Sequence, residues 1–483
     1  MLLRMFILTG ILLMLGAHTY AQSSRPGAAA RKSIRQYPVA PDDPGVITHI
    51  NRIFIIGNRL TRDHIILREL TLKAGDTVSI ARLDEIIDQD EKKIFNTHLF
   101  NTVEIKKLEV DAEHTDLLVN LDERWYTFPS PIFELSDRNF TEWWQNYDHD
   151  LSRVNYGLRL YQFNVRGRNE TLMATMQFGF NRVFAVRYTI PYIDRKQKHG
   201  LILDFDFQES KNLAYRTVDH KREFYSSRHL LRERRGAGLT YTYRNSFYDR
   251  HQLRIDYRHT DVDDTIRILN SDYLGSEQID QKLLALTYEF SSDYRDVIAY
   301  PLRGSHFWIR ATRMGFGLDV NKTELAASYA IFDDLKRNFF LSNYTYGYWS
   351  APDKQPYNQL GVLGFRKEIV RGYEIFVIEG PHYVLNKTTF KKRIFSRNYQ
   401  WDKGPIEQFR HFPIAIYLKS YADFGYVWNY PDYTQNSRLT DKLIVGAGAG
   451  FDIVSANDMV LRFEYTFNGE GESGLFFNIK KEF

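Results

Sequence analysis

The chain has 483 residues, 43% of them hydrophobic and 15% aromatic, with 32 Tyr and 34 Phe against 7 Trp. It holds no cysteine, which excludes disulfides, thiolate metal sites, thiol catalysis and a lipid-modified N-terminal cysteine. A formal net charge of +4 over this length supplies no basic domain of the kind nucleic-acid binding needs.

The first segment, "MLLRMFILTGILLMLGAHTYAQ", places Arg4 before an apolar run from Met5 to Leu15 and small residues up to Ala21. That pattern predicts a signal peptide over 1–21, because the apolar run is too short to span a bilayer as a helix. Residues 22–46, rich in Pro, Ala, Ser and basic residues, read as a flexible leader. The sequence from 47 to 124 then changes texture. "ITHINRIFIIGN" is an apolar strand closed by a Gly57-Asn58 turn, and "TRDHIILREL" is a helix starting at Thr61 as N-cap. Ser79 is placed to cap a second helix with Leu83, Ile86, Ile87 and Ile94 on one face. Two strands follow, "TVEIKKLEV" and "DLLVNLDE". The predicted order is β-α-α-β-β, a small α+β layer.

From Trp125 to Phe483 strand-length segments alternate. Leu201, Leu203, Phe205 and Phe207 oppose Ile202, Asp204 and Asp206. Leu239, Tyr241 and Tyr243 oppose Thr240, Thr242 and Arg244, and Leu253, Ile255 and Tyr257 oppose Arg254, Asp256 and Arg258. Met459, Leu461, Phe463, Tyr465 and Phe467 oppose Val460, Arg462, Glu464 and Thr466. A soluble sandwich also alternates. Export, an aromatic apolar face and the extent of the pattern favour a mainly β protein with a transmembrane antiparallel barrel over 125–483. At roughly 22 residues per strand and connection, about sixteen strands are expected.

Several words in this order resemble the BamA/TamA superfamily of outer-membrane β-barrel assembly and translocation factors. "IFIIGN", "ILREL", "KAGD", "NTHLFNTVEI" and "LLVNLDER" resemble a single POTRA domain of the bacterial surface antigen type over 47–124. Val370-Arg371-Gly372-Tyr373 matches the motif at the tip of the loop that folds into the family's barrel, and "NVRGR" (Asn164 to Arg168) is a chance near-match. "YADFGYVW" resembles the family's wall-strand motif, supplying Asp423 and Gly425. "LFFNIKKEF" resembles the C-terminal assembly signal, with Phe477, Asn478, Ile479, Lys481 and Phe483 in matching places.

An arginine on a loop in a wet lumen calls for a carboxylate that accepts two parallel bonds. The resemblance implies that Asp423 is that partner of Arg371, that Gly372 turns the loop tip and that Tyr373 packs it. The competing reading is an exposed loop arginine whose pairing is worth under about 1 kcal/mol. Where the family often has a second acid, on the strand "HYVLNKTTFKKR", this chain has Lys387, Thr388 and Thr389, so the expectation is one carboxylate rather than two.

The His/Asp clusters at Tyr147–Asp150, Tyr248–His251 and Arg258–Asp264 fall at strand ends and read as solvated loops rather than catalytic or calcium sites. No serine-elbow, His-Glu-x-x-His or phosphate-loop motif is present. The chain is therefore read as no enzyme, with no cofactor and no metal. The resemblance implies a protein of a Gram-negative outer membrane that inserts or translocates other proteins, with the POTRA domain in the periplasm. Its implied partners are unfolded outer-membrane or exported clients, outer-membrane lipid and periplasmic accessory proteins. Clients would dock on the POTRA sheet edge and use the seam between a first strand near Pro131–Asp137 and a last strand at Gly474–Phe483. A dedicated secretion pore, a porin-like channel and a lipid-handling paralogue are the alternatives.

Overall fold

A computed structural model describes residues 47–479, apart from 112, 136–142, 145–147, 276, 365–367, 401–410, 432 and 456–458. The signal peptide and leader expected over 1–46 and the terminal Phe483 lie outside the described residues. Two compact units result: residues 47–55, 71–89 and 105–119 form the smaller, and 56–70, 90–104 and 120 onward form the larger.

The first elements are β1 (Ile47–Ile56), α1 (Asp63–Leu67), β2 (Thr77–Ser79), α2 (Ile80–Phe95), β3 (Phe100–Glu109) and β4 (His114–Glu123). Their four strands lie in the order β2-β1-β4-β3. The apolar period assigns the helices and the longer strands, and β4 shows why: its Thr115, Leu117, Val119 and Leu121 are buried while the residues between them are not. Two local expectations are corrected. Ser79 stands directly before α2, but its hydroxyl makes no capping hydrogen bond among the described residues, and it also ends β2, whose Thr48↔Val78 pairing adds a three-residue strand at the edge. Thr61 is not the cap of α1 either; the helix starts beyond Arg62, and the Thr61 hydroxyl is 2.9 Å from the Tyr126 hydroxyl instead.

Leu117 is 1% exposed, so Leu117→Ala removes packed methyl groups that little can refill. The expected cost is about 2–3 kcal/mol. In liposome-embedded protein it appears as proteolysis within 47–124 at lower urea, with the larger sheet still resistant. Unchanged urea dependence would contradict it.

The large sheet has sixteen strands: β5 (Thr127–Leu135), β6 (Val154–Val165), β7 (Glu170–Gly179), β8 (Asn181–Ile190), β9 (His199–Ser210), β12 (Arg232–Arg244), β13 (Asp249–Val262), β14 (Asp280–Asp293), β15 (Gly304–Met314), β16 (Lys322–Lys336), β17 (Phe339–Ala351), β20 (His382–Gln400), β21 (His411–Val427), β22 (Leu443–Ser455), β23 (Val460–Asn468) and β24 (Ser473–Ile479). Each pairs antiparallel with its neighbour in that order, and β5 and β24 are its two ends. Outside it lie the hairpin β10 (Asn212–Val218)–β11 (Lys221–Ser226), the short pair β18 (Val362–Leu363)–β19 (Ile378–Glu379) and a helix α3 (Asp264–Leu269).

Burial in this sheet is inverted relative to a soluble protein. Phe205, Ile255 and Phe467 are among its exposed residues, whereas Asp204, Asp423, Asp452 and Glu464 are buried. Apolar side chains that face outward need lipid, and charges that face inward need one another or water. None of the described helices is long and apolar enough to cross a membrane; the strands cross instead.

Candidate functional site

The site is built where β20, β21, β22 and β23 lie side by side. Asp423 on β21 is fully buried and faces the loop that carries Val370 to Tyr373. Arg371 donates from Nη2 to Asp423 Oδ1 at 2.6 Å and from Nε to Oδ2 at 2.8 Å, a two-pronged pair. The Arg371 backbone N–H adds a third bond to Oδ2 at 3.0 Å, so the carboxylate grips both side chain and main chain. The guanidinium carbon sits 3.7 Å from the centre of the Tyr421 ring, and Nη2 donates to the Thr389 hydroxyl at 3.0 Å.

A second carboxylate is present, contrary to the one-acid expectation, and it comes from another strand. Glu464 on β23 lies 3.4 Å from Arg371 Nη1. Lys387, on the strand where the family's second acid is expected, stands opposite Asp423 in the β20–β21 register, and Thr389 supplies only its hydroxyl. Glu464 is also 2.9 Å from Lys419 Nζ, which lies 2.5 Å from Asp452, and Asp452 accepts from the Tyr300 hydroxyl at 2.9 Å. Opposite charges thus alternate down the wall: Arg371, Glu464, Lys419, Asp452. Burying these charges costs less in a connected chain, where each has a partner, than in isolation.

β21 and β23 are separated by β22, and contact across it depends on glycine. The register sets Asp423 opposite Gly446, Tyr421 opposite Gly448 and Lys419 opposite Gly450. With no side chain on that face of β22 between Gly446 and Gly450, Lys419 reaches Glu464, and the Tyr421 hydroxyl lies 2.6 Å from the Thr466 hydroxyl. A Cβ on Gly446 would lie 1.7 Å from the Arg371 carbonyl oxygen, so the loop backbone rests directly on this bare strand. Gly425, one turn of the pleat away, leaves room for Val370, whose Cγ2 would be 2.7 Å from an added Cβ. The alternating "GAGAG" run at Gly446–Gly450 is the sequence signal for this trough; Glu464 carries none beyond its place in an alternating strand.

Gly372 has φ +92°, a left-handed conformation that turns the loop tip. Its N–H donates to the Glu374 carboxylate at 2.7 Å and its carbonyl accepts from Asn468 Nδ2 at 2.9 Å. Tyr373 is buried with its hydroxyl accepting from the Gly469 N–H at 3.2 Å, which fastens the tip to the β23–β24 turn. Val370, Tyr373, Phe376 and Ile378 join Tyr344, Tyr346, Tyr348 and Tyr383 of the wall in one apolar cluster.

Above it, loops close over the same loop. The Val377 N–H donates to the carbonyl of His220, in the β10–β11 turn, and His220 Nε2 accepts from the Leu439 N–H at 2.8 Å. Glu379 accepts from Thr217 at 2.7 Å and from Tyr433 at 2.8 Å. Burial, helped by the Arg438 charge and opposed by Asp219, holds the His220 imidazole down at about 4 from its ordinary 6.5. Between those values the undocked hairpin binds a proton that the docked one does not, so the cap loses stability as pH falls through that window. Protease access to residues 211–227 is expected to rise between pH 7 and pH 4.5 and to lose that dependence in His220→Gln. Equal access at both pH values would contradict it.

The remaining sequence candidates have local roles. Phe477 faces outward and is half-exposed, with its ring 4.9 Å from Phe463, while Asn478 and Ile479 pair in register with Arg462 and Leu461. Arg166 of the near-match motif sits in the β6–β7 turn and pairs with Glu170 at 2.6 Å. Of the His/Asp clusters, Asp150 accepts from the Ser152 N–H, His251 is 2.8 Å from the Tyr288 hydroxyl, and Asp263 caps α3 through the Thr265 N–H. Among the described residues no group of three or more His, Asp or Glu is placed to hold a metal ion.

The model for the Omp85 superfamily domain matches residues 164–483, more than half of the chain. The chain belongs to the Omp85 superfamily. Its residues 48–124 match the POTRA family model described as a surface antigen variable number repeat. No curated protein matches. Among solved structures, the chain is similar to BamA from Haemophilus ducreyi lacking POTRA domains 1–3, with TM-score 0.52 and 15% identity, covering 90% of this chain and 84% of that one. It is also similar to CdiB from Escherichia coli, with TM-score 0.54 and 13% identity over 89% and 76% of the two chains. At these identities the likeness is one of fold. The fold and family expected from the sequence words are both borne out, and this Omp85 barrel is an outer-membrane protein.

Proposed function

We propose that this Omp85 protein inserts or translocates other proteins at the outer membrane, with the 47–124 region in the periplasm and a signal peptide at 1–21 directing export. One observation carries the reading: β5 and β24 end the sixteen-stranded sheet without pairing to each other among the described residues. Backbone edges at membrane depth have no water to bond, and an extended client strand is the partner that satisfies them. Insertion of such a strand needs no nucleotide or metal, since strand pairing and apolar burial in lipid are both downhill.

Clients would first meet β3, the ten-residue outer strand of the small sheet in the order β2-β1-β4-β3. The docked loop would brace the wall beside the seam, where its Tyr373 reaches the β23–β24 turn. A passive porin is the weaker reading, because the Val370–Ile378 loop packs against wall tyrosines in an apolar cluster rather than leaving the lumen clear. The test is assisted folding: protein in liposomes, an unfolded small barrel client, and the folded fraction read by gel mobility. Faster folding than in empty liposomes, lost on deleting 47–124, is the expected result. No acceleration with several clients would leave translocation of a dedicated substrate as the better account.

A further inference from the structure

The two edges of the seam are chemically unequal. In the β5–β6 pair, the Phe163 N–H donates to the Tyr126 carbonyl at 2.7 Å, so even-numbered residues of β5 bond to β6 and odd-numbered ones turn their backbone groups to the seam. The seam-facing residues are therefore Thr127, Pro129, Pro131, Phe133 and Leu135. Pro129 and Pro131 have no N–H. In the first three of these positions β5 offers one donor, from Thr127.

β24 is different. The Asn468 N–H donates to the Glu472 carbonyl at 2.9 Å, so even-numbered residues of β24 bond to β23 and Ser473, Leu475, Phe477 and Ile479 turn to the seam. None is proline, so each of the four carries both a donor and an acceptor. Leu475 and Phe477 also face outward and exposed, 67% and 45%, which suits a neighbour with an apolar lipid face.

We propose that the seam is one-sided: an incoming client strand pairs with the β24 edge, while Pro129 and Pro131 blunt the β5 edge over its first half. The occupant is an extended barrel strand with alternating apolar and polar residues, and this rests on the insertion reading above. The prolines act in two ways. They leave fewer unsatisfied donors in lipid while the seam is open, and they deny both β24 and a client a full ladder on that side. Each missing bond is worth roughly fivefold in a pairing equilibrium, so two prolines favour β24 about 25-fold.

The absence of native cysteines makes the test clean. Thr127→Cys and Phe477→Cys are each placed in liposomes with an unfolded eight-stranded barrel polypeptide carrying one cysteine in its terminal strand, and joined with a short bifunctional maleimide. Cross-linking at Phe477→Cys exceeding that at Thr127→Cys by about 25-fold, with the ratio collapsing in Pro129→Val/Pro131→Val, supports the proposal. Equal capture at both positions with the prolines present overturns it, and so does a ratio indifferent to their replacement. A client that folds no faster than in empty liposomes and is captured at neither position overturns the insertion reading and this occupant with it. A client-free arm reads the asymmetry alone. In the Thr127→Cys/Phe477→Cys double variant, intramolecular cross-linking should rise severalfold when both prolines become valine; no rise overturns the blunted edge.

Discussion

Arg371→Ala is expected to release the loop from the wall and to abolish assisted folding of clients. The substitution removes a cation from two buried carboxylates, Asp423 at 0% exposure and Glu464 at 4%. Losing one partner of a buried pair costs about 3–5 kcal/mol; Asp423 loses its two-pronged cation, while Glu464 keeps Lys419 at 2.9 Å. The docked fraction should therefore fall by more than a hundredfold, read as protease cleavage within 364–381 that the wild type resists. Arg371→Lys is informative beside it. It keeps the charge but loses the two-pronged geometry, the stack on Tyr421 and the bond to Thr389. An intermediate loss is expected. Full protection in Arg371→Ala would mean that the apolar cluster alone holds the loop.

Gly446→Val reaches the same outcome with every charge in place. Its Cβ would lie 1.7 Å from the Arg371 carbonyl oxygen, a backbone atom that no rotamer change can move. Either the loop leaves or β22 shifts against β21 and β23. The expected effect is at least as large as for Arg371→Ala, above about 4 kcal/mol, the range reserved for severe steric conflict at a packed site. It is read by the same cleavage, with the barrel still heat-modifiable on gels. Gly471→Ala is the control, since nothing lies within 4 Å of its added Cβ, although its own φ of +82° carries a small backbone cost. A resistant loop in Gly446→Val would contradict the close approach.

How much of this was legible before the fold depended on the periodicity of each piece. The barrel was, because outward Leu253, Ile255 and Tyr257 alternate with inward Arg254, Asp256 and Arg258 at the period of a strand. β2 was not, because three residues carry no period. Thr61 looked like a helix cap from its neighbours in sequence, but its hydroxyl is committed to Tyr126, sixty-five residues away. Arg371 and Asp423 were visible as motif words, fifty-two residues apart, whereas Glu464 lay in a strand noted only for its alternation. Finding Glu464 required knowing that β22 is bare on its inner face from Gly446 to Gly450. The alternating glycines of Gly446–Gly450 carry that information, but only once β21 and β23 are known to flank them. Sequence adjacency finds pairs on neighbouring words; it does not find pairs that meet across a third strand.

If Arg371 works by holding the loop on the wall, a covalent tether between loop and wall replaces it. Val370→Cys and Gly425→Cys put two sulfurs where a Gly425 Cβ would have met Val370 Cγ2 at 2.7 Å. Oxidation should join them in the membrane-embedded protein and hold the loop without the arginine. The decisive measurement is client folding in liposomes by the tethered pair in an Arg371→Ala background, oxidised against reduced. The reduced protein is expected to be inactive and the oxidised one to recover most of the wild-type rate. A disulfide that forms fully yet restores no folding would contradict it, and would assign Arg371 a role beyond holding the loop.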